Sequence, residues 1–267
     1  MIRDITIGQY YPADGVLHRL DPRTKLACTL LFLVSLFVQN NAWGYLLATV
    51  FLGTMIFLSK VPLKYILKGL KPVLVILLFT GILNLFFTKG GKVLVSFWIF
   101  KITERGLRTA ILMVIRLIYL VTGSSLMTFT TTPNALTDGI ESALRPLNKI
   151  KVPVHEVAMM MSIALRFIPI LLEETDKIIK AQTARGADLE SGNLIQRAKN
   201  MIPILIPLFV SAFDRAENLS DAMEARCYRG GDGRTKMKPL VYGKRDWIGY
   251  LIMLLYFGGM IAIGQLL

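Results

Sequence analysis

Cysteine and histidine are scarce, with two of each in 267 residues. Cys28 sits inside an apolar run and Cys227 in a basic polar stretch, so neither a disulfide framework nor a thiolate metal site can be built from them. His18 and His155 are far apart, and neither belongs to an HExxH, a CxxC or a nucleophile arrangement. No GxxxxGK[ST] loop occurs, so any ATP this protein depends on is bound by another chain. No catalytic residue, metal ligand or cofactor is therefore expected. The opening MIRDITIGQYYPADG lacks the charged, apolar and small-residue order of a secretion signal, and no cleaved signal is expected. Acidic residues are also few, 18 against 31 Lys and Arg, and fourteen of the 18 fall between Thr130 and Asp246.

Apolar residues, by contrast, make up 54% of the chain, and the mean hydropathy is +0.53. That much apolar surface needs lipid to cover it. The net charge of +13 fits nucleic acid, an anionic membrane face, or basic loops flanking membrane spans. A nucleic-acid protein would gather its basic residues on one soluble face and would leave the apolar runs unexplained. No nucleic-acid partner is expected.

Five apolar runs approach the length needed to cross about 30 Å of hydrocarbon at 1.5 Å per residue. They are Leu26 to Val38, Trp43 to Leu58, Pro72 to Thr88, Leu107 to Phe129 and Trp247 to Leu267. Gln39, Asn40 and Asn41 allow only a tight turn between the first two, both of which are short for a span. Arg3, Arg19, Arg23 and Lys25 precede the first run, and Lys60, Lys64, Lys68 and Lys71 follow the second, so both segments are expected in the cytoplasm. Lys89, Lys92 and Lys101 weaken that rule in the next loop. The expected fold is an all-α polytopic membrane protein with about five transmembrane helices and a cytoplasmic coupling region of about three. Residues 1–129 hold the N-terminal segment and four spans, 130–246 the cytoplasmic coupling domain, and 247–267 the last span.

Within 130–246, Thr132 and Pro133 start a short helix that runs to about Leu144 before Pro146. Two long helices are expected from about Val154 to Ala184 and from about Leu194 to Tyr228, ended by Gly186 and Gly230. These two are built alike. Each begins apolar and proline-bearing, with Pro169 in one and Pro203 and Pro207 in the other, and is expected to bend there. Each ends polar. Glu173 stands twelve residues before Arg185, and Asp214 twelve before Arg226; Ala181 and Ala222 stand four before, and Ala184 and Ala225 one before. Small alanines let a partner approach closely, and a guanidinium at a helix C-terminus suits a bidentate pair with a carboxylate. The alternative is that each arginine caps its own helix carbonyls.

The stretches LHRLDPRTKL (Leu17 to Leu26), VIRLIYLVTGSSLMTFTTTPNAL (Val114 to Leu136), Ala184-Arg185-Gly186 and Glu224-Ala225-Arg226-Cys227 resemble the energy-coupling factor (ECF) transporter transmembrane protein family, EcfT, over nearly the whole chain. The resemblance implies the T component of an ABC-type transporter in the cell (inner, cytoplasmic) membrane. It also implies two ABC-type ATPases, EcfA and EcfA′, and a small membrane S component that captures a vitamin or metal ion. Ala184, Arg185 and Gly186, with Ala225, Arg226 and Cys227, are then the expected ATPase-binding ends. Cys227 departs from the family, which usually has glycine there. Met159, Met160 and Met161 offer a flexible, polarizable surface for S-component docking or, alternatively, ordinary helix core.

Arg116 lies in the fourth run, where a cation needs a partner; Asn84, Ser124 or Ser125 could supply one. Glu173, Glu174 and Asp176 read as a solvated face. Lys236, Lys238, Lys244 and Arg245 before the last run favour anionic lipid. An intramembrane enzyme would need paired His, Glu, Asp or nucleophiles inside the runs, and none is visible. A non-transport membrane scaffold is the remaining alternative.

Overall fold

A computed structural model describes residues 10–39, 41–88, 90, 93–97, 100–187, 191–231, 237 and 239–266. The opening MIRDITIGQ with Arg3, the turn residue Asn40, Lys89, Lys92, and Gly233, Lys236 and Lys238 of the basic linker lie outside the described residues. The described residues divide into two compact units, one holding 143–239 and the other 8–142 with 240–267. The fold is all-helical apart from one short hairpin.

In the larger unit, Asp21 caps α1 (Pro22–Val38) by accepting from Arg23 N–H at 2.9 Å, with Pro22 in the first turn, where its missing donor costs nothing. Helix α2 (Ala42–Ser59) ends on Lys60 in the left-handed conformation, φ 55°. Helix α3 (Leu63–Leu70) continues through a 3-10 turn, Lys71–Val73, into α4 (Leu74–Phe87). The segment between Lys89 and Arg105, read from sequence as a loop, contains an antiparallel hairpin of β1 (Val93–Phe97) and β2 (Phe100–Thr103). Its signal is the alternation Val93, Val95, Phe97 and Phe100, Ile102, a period of two that a search for long apolar runs passes over. Thr103 then caps α5 (Glu104–Thr130), accepting from Gly106 N–H at 3.1 Å. Helix α6 (Pro133–Leu144) follows, and the 3-10 segment Arg145–Ile150 after it belongs to the smaller unit. The unit closes with α10 (Lys244–Leu266).

Helix α5 is the hub, packing on α1, α2, α3 and α4, while α1 and α2 also pack on α10. Phe32, Leu36, Ala48, Leu52, Met253, Tyr256 and Met260 form the core where α1, α2 and α10 meet. Phe51 stacks on Tyr256 at 4.1 Å, and Ser35 and Tyr256 share a hydroxyl contact at 3.1 Å. A Cβ at Gly123 would stand 2.6 Å from the Phe32 ring, so only glycine lets α5 approach α1 this closely.

The smaller unit is built on α7 (Val154–Ala184) and on α8 (Leu194–Asn200) with α9 (Ile202–Ala225), α7 packing along α9. The expected single helix from Leu194 to Tyr228 is thus two, separated by Met201. Pro203 lacks the N–H that would continue the α8 ladder, and it sits in the first turn of α9, where that donor is not needed.

Among the described residues, five helical stretches are long and apolar enough to cross a membrane: Ala42–Ser59, Leu63–Phe87, Glu104–Thr130, Val154–Ala184 and Lys244–Gln265. The number matches the sequence reading, but the membership differs. Helix α1 has 17 residues, about 25 Å of rise, and falls short. Helix α7, expected among the cytoplasmic helices, qualifies because Val157 to Leu172 carries a single charge, Arg166. Large apolar side chains such as Phe57, Val75 and Phe79 face outward, as lipid-covered surface does. This is a multi-pass membrane protein.

Candidate functional site: two helix ends and a polar knot

Helices α7 and α9 end in the same way. Arg185 and Arg226 hold near-identical backbone angles, φ −84° and ψ 3° against φ −90° and ψ 11°. The next residue is left-handed in both, Gly186 at φ 87° and Cys227 at φ 57°. The second residue beyond each arginine closes the turn, Ala187 N–H donating to Gln182 O and Tyr228 N–H to Met223 O, both at 3.0 Å. This double-bonded ending satisfies the last carbonyls through the backbone. Helix α9 therefore stops at Ala225 and not at Gly230, the expected terminator, whose own φ of 90° lies three residues past Cys227. Cys227 costs the helix no sharpness; it adopts the glycine conformation and bears the strain.

That strain is measurable. Cys227→Gly should stabilise the chain by about 1 kcal/mol, and Gly186→Ala should destabilise it by about the same amount, since a Cβ in the left-handed region costs roughly 1–2 kcal/mol. Thermal unfolding midpoints of the purified chain check both signs.

Ala184, Arg185, Gly186, Ala225, Arg226 and Cys227 are all exposed. Among the described residues neither arginine side chain caps a helix carbonyl or forms an ion pair; the backbone N–H groups do the capping. Upstream, Arg215 donates to Glu174 at 3.1 Å across the two helices. Each of these residues stands eleven positions before its terminal arginine, so the pair joins equivalent positions of the repeat, about 16 Å of helix from each tip. Glu174 thus departs from the expected solvated face, while Glu173 remains exposed. Of the methionines, Met160 and Met161 are exposed and Met159 is half-buried. On α9, Leu205, Ile206, Phe209, Val210 and Phe213 are also exposed.

Arg116 finds partners other than those expected. Its Nε donates to the Tyr45 hydroxyl at 2.7 Å and its guanidinium to the Gln39 carbonyl at 2.7 Å. Asn84 and Ser124 instead donate to carbonyls of their own helices. Gln39 is fully buried, and its amide also donates to the Met260 carbonyl. Arg116 and Gln39 together tie α5, α2 and α10 to the C-terminus of α1.

A second polar centre lies in the Leu17–Leu26 stretch. The Asp21 carboxylate receives Arg23 through Nε at 3.1 Å and through a terminal nitrogen at 3.0 Å. Its backbone N–H donates to Asp246 at 2.8 Å, and Asp246 also accepts from Gly243 N–H at 2.9 Å. Arg23 reaches the Leu240 carbonyl at 2.9 Å and lies over the Tyr242 ring at 4.0 Å. Lys25, only 7% exposed, donates to the Thr130 carbonyl at 2.7 Å and the His18 carbonyl at 3.2 Å. Burial pushes its ammonium down to about 8, against the opposing pull of Asp21 and Asp246. For Asp21, burial would raise the carboxyl, but the hydrogen bonds and charge of Arg23 outweigh it and hold it below the usual range.

Arg23 and Lys25 were counted from sequence as loop charges, yet they are fasteners joining the starts of α1 and α10 to the end of α5. The acid-proline cap Asp21-Pro22 directly before Arg23 is the signal that could have marked Arg23; no local signal marks Lys25.

Comparison with known proteins converges on one family. The family model described as CbiQ, cobalt transport protein, matches residues 13–237. A protein of Ruminiclostridium cellulolyticum is 58% identical over 246 residues, covering 92% of each chain. One of Clostridium kluyveri is 56% identical over 255 residues, covering 95% of this chain and 94% of that one. One of Thermosediminibacter oceani is 51% identical over 266 residues, covering 100% and 98%. All three carry the description energy-coupling factor transporter transmembrane protein EcfT. Matched by the family model over residues 13–237 and by these relatives over nearly its whole length, the chain belongs to this EcfT family, the transmembrane components of ECF transporters.

Proposed function

We propose that this chain couples two ABC-type ATPases to a small substrate-binding S component, converting nucleotide-driven motion into uptake of a vitamin or other micronutrient. The observation that carries the proposal is the pair of identically terminated helices, each presenting an exposed arginine beside a Cβ-only alanine. Each ATPase holds one end, with a carboxylate receiving the guanidinium fork. The Glu174–Arg215 pair makes a fulcrum between equivalent points of the two helices, so a shift of the tips is passed to the apolar halves beyond it. Met159, Met160 and Met161 on the apolar half of α7 meet the S component, a soft surface that adapts to partners of different shape. The N-terminus and the polar, arginine-bearing ends of α7 and α9 face the cytoplasm, where the ATPases are. ATP is hydrolysed by those partners.

Purification of the tagged full chain from its native membrane tests this. Two ABC-type ATPase polypeptides, alike or different, and one small hydrophobic protein are expected to accompany it. Recovery of the folded chain without ATPases, under conditions that preserve other ABC assemblies, sinks the proposal.

A further inference from the structure

Between Asp21 and Glu104 the chain contains no acidic residue, yet four lysines gather at α3. Lys64, Lys68 and Lys71 follow one another at i, i+4 and i+7, an arc of about 60° around the helix. Lys60 stands just ahead of the first turn, in its left-handed conformation. All four are exposed, and among the described residues none forms an ion pair. The other side of α3 is occupied: Ile66 is buried with Val61 and Phe129, and Gly69 faces Ser125 of α5. Between the packed side and the lysines lie Leu63 and Leu67, 62% and 64% exposed.

These three faces describe a helix lying at the edge of the hydrocarbon. The chain runs on directly into α4, whose Val75 and Phe79 face outward, so α3 is held at the level where a span begins. Leucines on one side reach the acyl boundary while lysine stems carry their ammonium groups to the headgroup layer. Like charges at i, i+4 destabilise a helix that has no counter-ion, and this segment supplies none. Among the described residues no carboxylate pairs with these lysines, so an anion from outside the chain would relieve their repulsion.

We propose that α3 is a binding rail for anionic phospholipid, with Lys60, Lys64, Lys68 and Lys71 holding headgroup phosphates and Leu63 and Leu67 inserted beside them. An ammonium binds phosphate as a point charge without a fixed fork, so the rail selects lipids by net charge and not by headgroup shape. The proposal rests on membrane insertion alone, not on coupling to ATPases, so either can fail without the other.

The test is lipid retention by the full chain taken from mixed phosphatidylglycerol and phosphatidylcholine vesicles and read by native mass spectrometry. The wild type should retain phosphatidylglycerol preferentially, and raised salt should reduce that preference. K60Q/K64Q/K68Q/K71Q should lower it at least tenfold, on the basis of about fivefold per exposed cation less the effect of screening. The corresponding four-arginine variant should keep it, as should K177Q/K180Q, which removes two exposed lysines from α7. K64Q/K68Q should fall between, and gives the reading should the quadruple variant not fold. An unchanged preference in a glutamine variant with a wild-type unfolding midpoint overturns the proposal, as does an equal loss in K177Q/K180Q. Loss of a co-purifying protein with lipid retention intact assigns the rail to a protein and overturns it too.

Discussion

R185E/R226E is expected to reduce ATP-linked uptake at least a hundredfold while leaving the chain folded. Truncating one partner of a desolvated charge pair costs about 2–5 kcal/mol, and reversal adds repulsion to that loss. Two such ends on one rigid pair act together, so a single reversal should leave weak residual assembly that the double variant lacks. The fold should tolerate both changes because the two side chains are exposed and the helix ends are closed by backbone bonds from Ala187 and Tyr228. ATPase co-purification, vesicle uptake and the unfolding midpoint of the same preparation provide the measurement. Full uptake by a correctly inserted double variant would show that the arginines carry no load.

D246A is expected to destabilise the chain by about 3 kcal/mol or more, the largest effect on stability anticipated for any single replacement discussed. The Asp246 carboxylate is 4% exposed and accepts from the backbone N–H groups of both Asp21 and Gly243. Its removal strands two donors, at about 1–3 kcal/mol where buried, and withdraws a negative charge from buried Lys25. A large drop in unfolding midpoint, with helix content retained at low temperature, is the expected reading. Lys25 adds a dependence on pH. Its folded-state pKa of about 8 lies below its ordinary 10.5, so the unfolded chain binds more protons between those values and stability rises with pH across that window. K25M should lose that rise relative to wild type; a matching slope in both chains would exclude Lys25 as its source.

Local punctuation was readable in the sequence. Pro133 and Leu144 bound α6 as expected, and Val154 and Ala184 bound α7, because prolines and glycine state helix limits within a few residues. The repeat was readable for the same reason, its offsets being counted along the chain. Features created by distant chain segments were not. Thr130 lies 105 residues from Lys25 and Met260 lies 221 from Gln39, so nothing local announces that Lys25 is buried or that Gln39 is a crossing point. Arg116 was recognised as needing partners, but Tyr45 and the Gln39 carbonyl belong to helices whose rotation periodicity alone does not fix. Cys227 misled in a different way: residue preference favours Gly230 as terminator, while the hydrogen bonds around Met223 put the turn three residues earlier.

The bond between Asp21 and Asp246 spans 225 positions, and the core residues Phe32 and Leu36 wait on Met253, Tyr256 and Met260 from the same final helix. During synthesis α1 and α2 are therefore made long before α10, the third side of their shared core, exists. Closing so large a loop is slow, and the nascent bundle must persist with one side of the α1–α2 core open until α10 is made. Assembly of this bundle thus depends on α10, and a ribosome that stops before it releases a bundle with an open seam.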